Sequence, residues 1–246
     1  MGPAPFLFSV ITSHHNPLLK DIRRLQRRRD GRFVAEGEDL LAAADAAGWA
    51  PIARLRAGVD VDADVLAKVS ALGSGSRELG VFEERWASAP VGPLCVCLHG
   101  VGDPGNVGAV LRSAQAFGAG SVVLGPGCAD PFGPKAVRAS MGAIFTVPLV
   151  RGGVDDLPGE KIALVAGEGE PLAAVAAQLG GGRPGGDLCE EPAPVCLVVG
   201  AERAGLPAEV VEACDRVAHI PIRGDSLNAA MAATVGLYEL AGRLAA

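Results

Sequence analysis

The sequence lacks the features of membrane, secreted and metal-binding proteins. No apolar run is long enough to cross a bilayer. The apolar segment at residues 6–11 is accompanied by neither a basic leader nor a cleavage signature. The six cysteines form no CxxC pair and no Cys/His metal spacing, so reduced thiols are expected. We therefore predict a soluble cytoplasmic protein with no metal.

Positive charge is also scarce, since the formal net charge is −6. This value argues against a protein that coats nucleic acid indiscriminately. Residues 20–32 are the exception, because seven basic side chains stand there against two aspartates. Guanidinium groups grip phosphate bidentately, so the arginines of this segment are candidates for RNA contact: Arg23, Arg24 and Arg27. A solvated basic helix face is the alternative.

The first third of the chain predicts a small α/β unit. Asn16 and Pro17 are a helix cap and a first helical residue, and Leu18, Leu19, Ile22 and Leu25 follow as an apolar stripe. Strands are expected at 33–36, 52–57 and 79–82, and helices at 38–47 and 62–72. Tryptophan, proline and glycine then interrupt the pattern over residues 83–93, which predicts a boundary between domains 1–90 and 91–246.

The second domain alternates strands with helices. Apolar strands are expected at 94–98, 121–124, 144–147, 161–165 and 195–199, with helices at 106–117, 134–140 and 171–179. Strands that are apolar throughout predict a parallel sheet covered on both faces. Residues 180–194 read as a flexible insertion. Ser226 is the predicted cap of a last helix, whose buried face would carry Leu227, Ala230, Met231, Thr234 and Tyr238.

Three loops of this domain carry candidate chemistry. Residues 100–105 fit the GxGxxG dinucleotide pattern, but no acidic residue ends the following strand, so a Rossmann enzyme is disfavoured. Asn106 and Arg112 follow on the next helix, with Arg112 opposite its apolar face. Glu202 lies just beyond the strand at 195–199, where parallel sheets place ligands.

These stretches, in this order and spacing, resemble the SpoU (TrmH-like) branch of the SPOUT RNA methyltransferases. The family's three motifs are similar to residues 103–114, 198–206 and 220–231, and residues 135–143 also look like the family's. The segment at 11–37 resembles the substrate-binding domain of two-domain members. The resemblance covers nearly the whole chain.

The resemblance implies an α/β fold: a C-terminal parallel-sheet domain with a deep trefoil knot, beside a small L30e-like N-terminal domain. It implies methyl transfer from S-adenosyl-L-methionine to a ribose 2′-hydroxyl of RNA, more readily rRNA than tRNA, by a homodimer. Gly200, Ile220 and Leu227 would hold the cofactor. The catalytic group would comprise Asn106, Arg112, Glu202, Ser226 and Asn228, with Arg112 contacting an RNA phosphate and Glu202 orienting Arg112 or Asn106.

One departure from the family pattern keeps a second function open. Only Asp225 separates Gly224 from Ser226, whereas the family usually has a longer segment there. A tighter turn at the cofactor pocket, together with the insertion at 180–194, fits a catalytically silent RNA-binding protein as well as an active enzyme.

Overall fold

Two β-sheets organise the chain. The computed structural model of the protein describes residues 10–71, 75–180, 193–224 and 226–244. The strands are β1 Arg32–Glu36, β2 Ala53–Arg56, β3 Glu78–Glu83, β4 Leu94–Leu98, β5 Ser121–Leu124, β6 Leu149–Arg151, β7 Glu160–Leu164, β8 Glu170–Pro171, β9 Val195–Val199 and β10 Arg216–His219. The helices are α1 Pro17–Arg27, α2 Glu38–Ala46, α3 Ala63–Ala67, α4 Pro104–Ala116, α5 Pro134–Ala139, α6 Leu172–Gly180, α7 Ala208–Glu212 and α8 Ala229–Leu244.

The N-terminal sheet is antiparallel, with strand order β1-β3-β2. Helix α1 begins as predicted, because the Asn16 side chain accepts a hydrogen bond from Leu18 N at 2.9 Å and Pro17 takes the first helical position. Its stripe of Leu19, Ile22 and Leu25 is at most 1% exposed against this sheet. Each such side chain contributes about 1.5–3 kcal/mol through burial. Helices α1, α2 and α3 accompany this three-stranded sheet in the chain.

The two sheets share one hydrophobic core through aromatic side chains. Phe33 of β1 lies 4.9 Å from Phe132, and Phe82 of β3 lies 5.1 Å from Phe145, measured between ring centroids. Trp49 Nε1 also donates a hydrogen bond to the Phe145 carbonyl oxygen at 2.8 Å. Because these contacts are buried, the N-terminal sheet is fixed against the larger one.

The seven strands of the larger sheet are all parallel, in the order β6-β5-β4-β9-β7-β10-β8. Its central strands β4 and β9 are buried along their whole length. Helices α4, α6 and α8 pack on one face of the sheet, and α7 packs on the other. The predicted parallel sheet covered on both faces is therefore confirmed.

The strand predicted at 144–147 is wrong. Residues Ala143–Phe145 form a 3₁₀ turn whose side chains are buried, and the strand at this place is β6, which follows Pro148. A short apolar run is compatible with a buried turn as well as with a strand, so its hydrophobicity does not distinguish them. The helix predicted at 62–72 is also shorter, since α3 ends at Ala67.

The predicted buried face of the last helix is only partly correct. Ala230 is buried, but Met231 and Tyr238 are 63% and 64% exposed. The face that packs on the sheet instead carries Ala229, Ala233, Leu237 and Leu240. Gly236 belongs to this face, because a Cβ there would lie 2.5 Å from Leu197 Cδ2 of β9. Most of the insertion predicted at 180–194, like Asp225, lies outside the described residues.

Candidate active site

A cleft opens at the carboxyl ends of β7, β9 and β10. The predicted cofactor residues Gly200, Ile220 and Leu227 all line it, together with Glu202 and Ser226. The remaining wall is mostly apolar: Leu164, Val165, Ala166, Val199, Leu206 and Ile222. We call it the cofactor cleft, because the carboxyl edge of a parallel sheet is where such folds bind ligands.

Gly200 is required by the shape of the loop that walls this cleft. The N–H of Gly205 donates to the Ala201 carbonyl oxygen at 2.9 Å, and the Ala201 N–H donates to the Gly205 carbonyl oxygen at 3.1 Å. A Cβ on Gly200 would lie 2.3 Å from the Gly205 carbonyl carbon. The loop can therefore adopt this conformation only if residue 200 has no side chain, as in Gly200.

The lining of the cofactor cleft fits the adenosine part of S-adenosyl-L-methionine. Apolar side chains suit a purine ring, and the backbone N–H groups of Ile220 and Leu227 donate no hydrogen bond within the described residues. The volume is about 120 Å³, below the roughly 300–1,000 Å³ usual for small-molecule sites.

Three predicted catalytic residues meet beside the cleft. The Glu202 Oε1 atom accepts hydrogen bonds from the side-chain amides of Asn106 and of Asn228, the latter at 2.5 Å. The Asn228 amide also donates to Asn106 Oδ1 at 3.1 Å. We call these three residues the amide–carboxylate cluster. It joins the first turn of α4, the loop after β9 and the residue before α8.

The start of α4 explains why Asn106 is free to join this cluster. The helix begins at Pro104, two residues earlier than predicted, and is capped by Asp103, whose Oδ1 accepts from Gly105 N at 2.6 Å and from Asn106 N at 3.1 Å. A hydrogen bond from Lys135 at 2.7 Å holds the pKa of Asp103 below its ordinary value. This carboxylate occupies the helix terminus where a dinucleotide phosphate would bind, which argues further against a Rossmann enzyme.

Ser226 is not the cap of the last helix. That role belongs to Asn228, whose Oδ1 accepts from Ala230 N at 2.9 Å and from Met231 N at 3.3 Å. Helix α8 thus begins after Leu227, which lies in the cleft wall. Ser226 is exposed at the cleft mouth. Asn228 therefore caps the helix with its oxygen and joins the cluster with its nitrogen.

Arg112 is not brought to this cluster within one chain. Its side chain is exposed on α4 and makes no hydrogen bond or ion pair with any described residue. Of the two orienting roles expected for Glu202, the structure contains only the contact with Asn106. Arg112 is thus free to contact a ligand or a second subunit.

The three arginines predicted to bind RNA differ in their surroundings on α1. Arg24 is held in ion pairs with Asp21 at 2.6 Å and Asp30 at 2.7 Å. Arg23 donates to the His14 carbonyl oxygen at 3.2 Å. Arg27 is exposed and has no partner in the described part of the chain. Of these three arginines, Arg27 is therefore the most available to phosphate.

The described residues contain neither a candidate metal site nor a candidate membrane-spanning helix. Over the described residues, no group of His, Cys, Asp and Glu side chains has the geometry of a metal site. Among those same residues, no helix combines the length and apolarity that spanning a bilayer requires. The cysteines described are free thiols, and burial raises the pKa of Cys97 to about 12, so it is inert.

The sequence did not single out two contributors to this region. Lys135 belongs to a segment already similar to the family, but its ion pair with Asp103 at 2.7 Å became visible only in the fold. The end of β7 supplies Leu164 to the cofactor cleft, although nothing in its apolar strand marks it as functional. Lys135 and Leu164 contribute through the positions that the fold gives them, which the surrounding sequence does not reveal.

The fold and the site together define a class of protein. A parallel sheet with a ligand cleft at its carboxyl edge, bordered by a polar cluster from three separate segments, is the arrangement of α/β proteins that bind nucleotide-like cofactors. Residues 93–238 match the SpoU rRNA Methylase family. The chain belongs to this family, and the resemblance seen in the sequence is confirmed.

The names of two related proteins agree with this assignment. The chain is 36% identical over 162 residues to the 23S rRNA (guanosine(2553)-2'-O)-methyltransferase RlmP of Bacillus subtilis (strain 168), covering 65% of this chain and 61% of that protein. It is 38% identical over 141 residues to the 23S rRNA (uridine(2479)-2'-O)-methyltransferase of Streptomyces viridochromogenes, covering 55% and 48%. The matches thus span about half to three fifths of these relatives' length.

A solved structure resembles the fold over nearly its whole length. The AdoMet-bound rRNA methyltransferase from Sinorhizobium meliloti superimposes with a TM-score of 0.79 at 29% identity, covering 94% of this chain and 97% of that one. The likeness therefore extends beyond the family domain to the N-terminal sheet.

Proposed function

We propose that the protein transfers a methyl group from S-adenosyl-L-methionine to a ribose 2′-hydroxyl of RNA, and that the RNA is ribosomal. The observation that carries this proposal is the amide–carboxylate cluster beside a cleft lined by Gly200, Ile220 and Leu227. Relatives of the same family are named 23S rRNA 2'-O-methyltransferases, and one related structure is AdoMet-bound.

Bound S-adenosyl-L-methionine would supply an activated methyl group, which the ribose 2′-oxygen would accept while its hydroxyl proton passes to water and the demethylated sulfur stays with the cofactor. The residues of the cluster serve to position the hydroxyl, which is the main requirement when the methyl donor is already activated. Asn106 would contact the hydroxyl, because only one of its two amide hydrogens is used within the cluster, and Glu202 and Asn228 would hold Asn106 in place. Ser226 is placed at the cleft mouth to hydrogen-bond the substrate.

Arg112 would bind an RNA phosphate next to the reacting ribose. A guanidinium keeps its proton in proteins, so we assign it an electrostatic role rather than that of the base. Its exposure and its lack of partners among described residues support this role. On α1, Arg23, Arg24 and Arg27 would contact RNA further from the reaction.

The proposed assembly is a homodimer formed through α8. Met231, Val235 and Tyr238 make an exposed apolar stripe on this helix, at 63%, 40% and 64% exposure. The half-buried Phe117, which follows α4, adjoins the stripe, with its ring 5.9 Å from that of Tyr238. Such a surface is typical of an interface. A second copy there would allow Arg112 of one subunit to approach the cluster of the other.

The chain division and topology that accompany this function are also proposals. We place the boundary between an L30e-like RNA-binding domain and the methyltransferase domain at residue 90, because β3 ends at Glu83 and β4 begins at Leu94. The knot is proposed for the segment that returns through Gly200–Leu206 and Ile220–Leu227. The cytoplasm is the compartment that suits an rRNA substrate.

Two measurements test the function. S-adenosyl-L-methionine titrated by calorimetry should bind, and rRNA from cells without the gene should accept a methyl group at one ribose. Arg112→Ala should abolish transfer while cofactor affinity changes little. Failure to bind the cofactor at millimolar concentration would remove the proposal.

The narrow cofactor cleft favours one alternative, a silent RNA-binding protein. Its volume of about 120 Å³ and the short connection from Gly224 to Ser226 motivate this reading. RNA binding without methyl transfer across rRNA and tRNA pools would support it.

A further inference from the structure

A second cleft opens at the same edge of the large sheet. It lies beyond the carboxyl ends of β5 and β6, between the loops that follow them and the connector that leads into β4. Trp86, Pro126, Asp130 and Arg151 are among its lining residues, and its volume is about 470 Å³. This volume is within the roughly 300–1,000 Å³ of small-molecule sites. We call it the connector cleft.

A stacked pair of side chains forms one wall of the connector cleft. The Arg151 guanidinium carbon lies 4.1 Å from the centroid of the Trp86 ring. The side chain of Arg151 is nevertheless 71% exposed, and it makes no hydrogen bond with any described residue. The guanidinium is therefore held over the ring while its donors remain available.

The Trp86 ring is itself held in place. Its Nε1 donates to Glu84 Oε2 at 3.4 Å, and its edge meets the Phe132 ring at 5.3 Å between centroids. The next residue, Ala87, donates its backbone N–H to the Leu149 carbonyl oxygen of β6 at 2.7 Å. The pair is thus a preformed flat surface rather than a mobile side chain on a loop.

The acidic groups near the pair are already engaged from the protein side. Asp130 is bound by Arg29 Nη2. Glu84 is only 11% exposed and lies 3.8 Å from Arg29 Nε and 3.9 Å from Arg151 Nη2. Arg29 and Arg151 together balance the charges of Asp130 and Glu84, and the Arg151 side chain, at 71% exposure against 43% for Asp130, is the most exposed charged group of these four.

One loop separates the connector cleft from the cofactor cleft. The Gly100 N–H donates to the Pro126 carbonyl oxygen at 2.9 Å. On its other side, a methyl group at Gly100 would lie 3.5 Å from the Ala201 Cβ, and Ala201 lines the cofactor cleft. A strand of RNA lying along this edge of the sheet can therefore reach both clefts.

We propose that the connector cleft binds one nucleotide of single-stranded RNA adjacent to the nucleotide that is methylated, an inference that rests on the proposed function. The base stacks on the guanidinium of Arg151, which Trp86 supports from behind. The in-plane donors of the same guanidinium reach the phosphate. Planar π surfaces and arginine planes are the groups on which proteins stack splayed RNA bases.

Binding of a short fluorescein-labelled single-stranded RNA, followed by anisotropy, tests this subsite. Arg151→Ala should weaken binding about fivefold to a hundredfold, the range for loss of one stacked base. Arg151→Lys keeps the charge without the plane and should remain weakened. Arg216→Ala, which removes an arginine from the first residue of β10, at the edge of the large sheet opposite both clefts, is the control and should stay near wild type. Full binding by Arg151→Lys would mean that charge alone acts, and would overturn the inference.

Trp86 provides an independent readout. Single-stranded RNA should change its fluorescence in the wild type, and Trp86→Phe should lose that change while thermal melting shows a folded protein. In the transfer assay, Arg151→Ala should raise KM for RNA and leave cofactor affinity unchanged. If no RNA is methylated by the wild type, the proposed function fails, but the binding and fluorescence results still decide the subsite. Unchanged RNA affinity in Arg151→Ala, or an unchanged fluorescence response in Trp86→Phe, would refute it.

Discussion

The close packing of α4 on α5 predicts that Gly108→Ala destabilises the protein. A Cβ at Gly108 would lie 2.3 Å from the Ala136 carbonyl oxygen and 2.6 Å from the Ala139 Cβ. A backbone oxygen cannot rotate away as a side chain can, so α4 and α5 must move apart to accommodate the new methyl group. Overpacking costs about 1–3 kcal/mol, and we take about 3 for a contact this short. The better helix propensity of alanine returns about 1 kcal/mol, which leaves about 2 kcal/mol of lost stability.

Thermal unfolding measures this loss. For a chain of this length, each kcal/mol moves Tm by about 2–4 °C, so Gly108→Ala should melt about 4–8 °C lower. The matched control is Gly242→Ala in α8, where nothing lies within 4 Å of the added methyl group. That change should raise Tm by up to about 4 °C. Equal shifts in the two variants would refute the packing argument. Since α4 also carries Asn106, cofactor titration of both variants shows whether the displacement reaches the site.

Three further predictions concern the catalytic cluster, the dimer and RNA binding. Glu202→Ala removes the acceptor shared by two amides, so methyl transfer should fall about tenfold or more. Glu202→Gln keeps an oxygen acceptor, so its methyl transfer should fall less. Equal rates in the two variants would contradict the positioning role of Glu202. Tyr238→Glu should give a monomer by light scattering, whereas Tyr238→Phe stays dimeric; a Tyr238→Glu dimer would exclude α8 as the interface. Arg27→Ala should reduce the salt dependence of RNA binding by about one unit of slope. Arg24→Ala should do less because its ion pairs already engage it, so a larger effect at Arg24 would reverse this assignment.

The strands that the sequence predicted best are those buried on both faces. Strands β4, β5 and β9 have the predicted bounds, because every residue in them is apolar or small and buried. The run from Ile144 to Val147 has a similar composition, yet its first two residues belong to a 3₁₀ turn beside the aromatic side chains that join the two sheets. Tyr238 was misplaced for a related reason. In an alanine-rich helix two stripes satisfy the helical period, and only contact with the sheet decides which one is buried.

The candidate site was predicted by residue type but not by geometry. Asn106 and Glu202 are 96 residues apart, and Asn106 and Asn228 are 122 apart, so the motifs named the members of the cluster without showing that they touch. Ser226 and Asn228 are both good cap residues, and propensity cannot choose between them. In the structure the cap is Asn228, and the preceding Leu227 lies in the wall of the cofactor cleft. Arg151 and Trp86 lie outside every motif, and their pairing requires the connector to run beside β6, as it does at Ala87.

The place of β9 in the large sheet has a consequence for how the chain folds during synthesis. This strand lies between β4 and β7, both of which leave the ribosome before it. Until residue 199 emerges, the nascent protein has two unpaired apolar edges facing a gap, and such edges are prone to pair with other chains. Contacts between β4 and β9 also span about a hundred residues, and pairings this distant form slowly. A chain stopped before β9 should therefore be insoluble rather than a smaller folded domain.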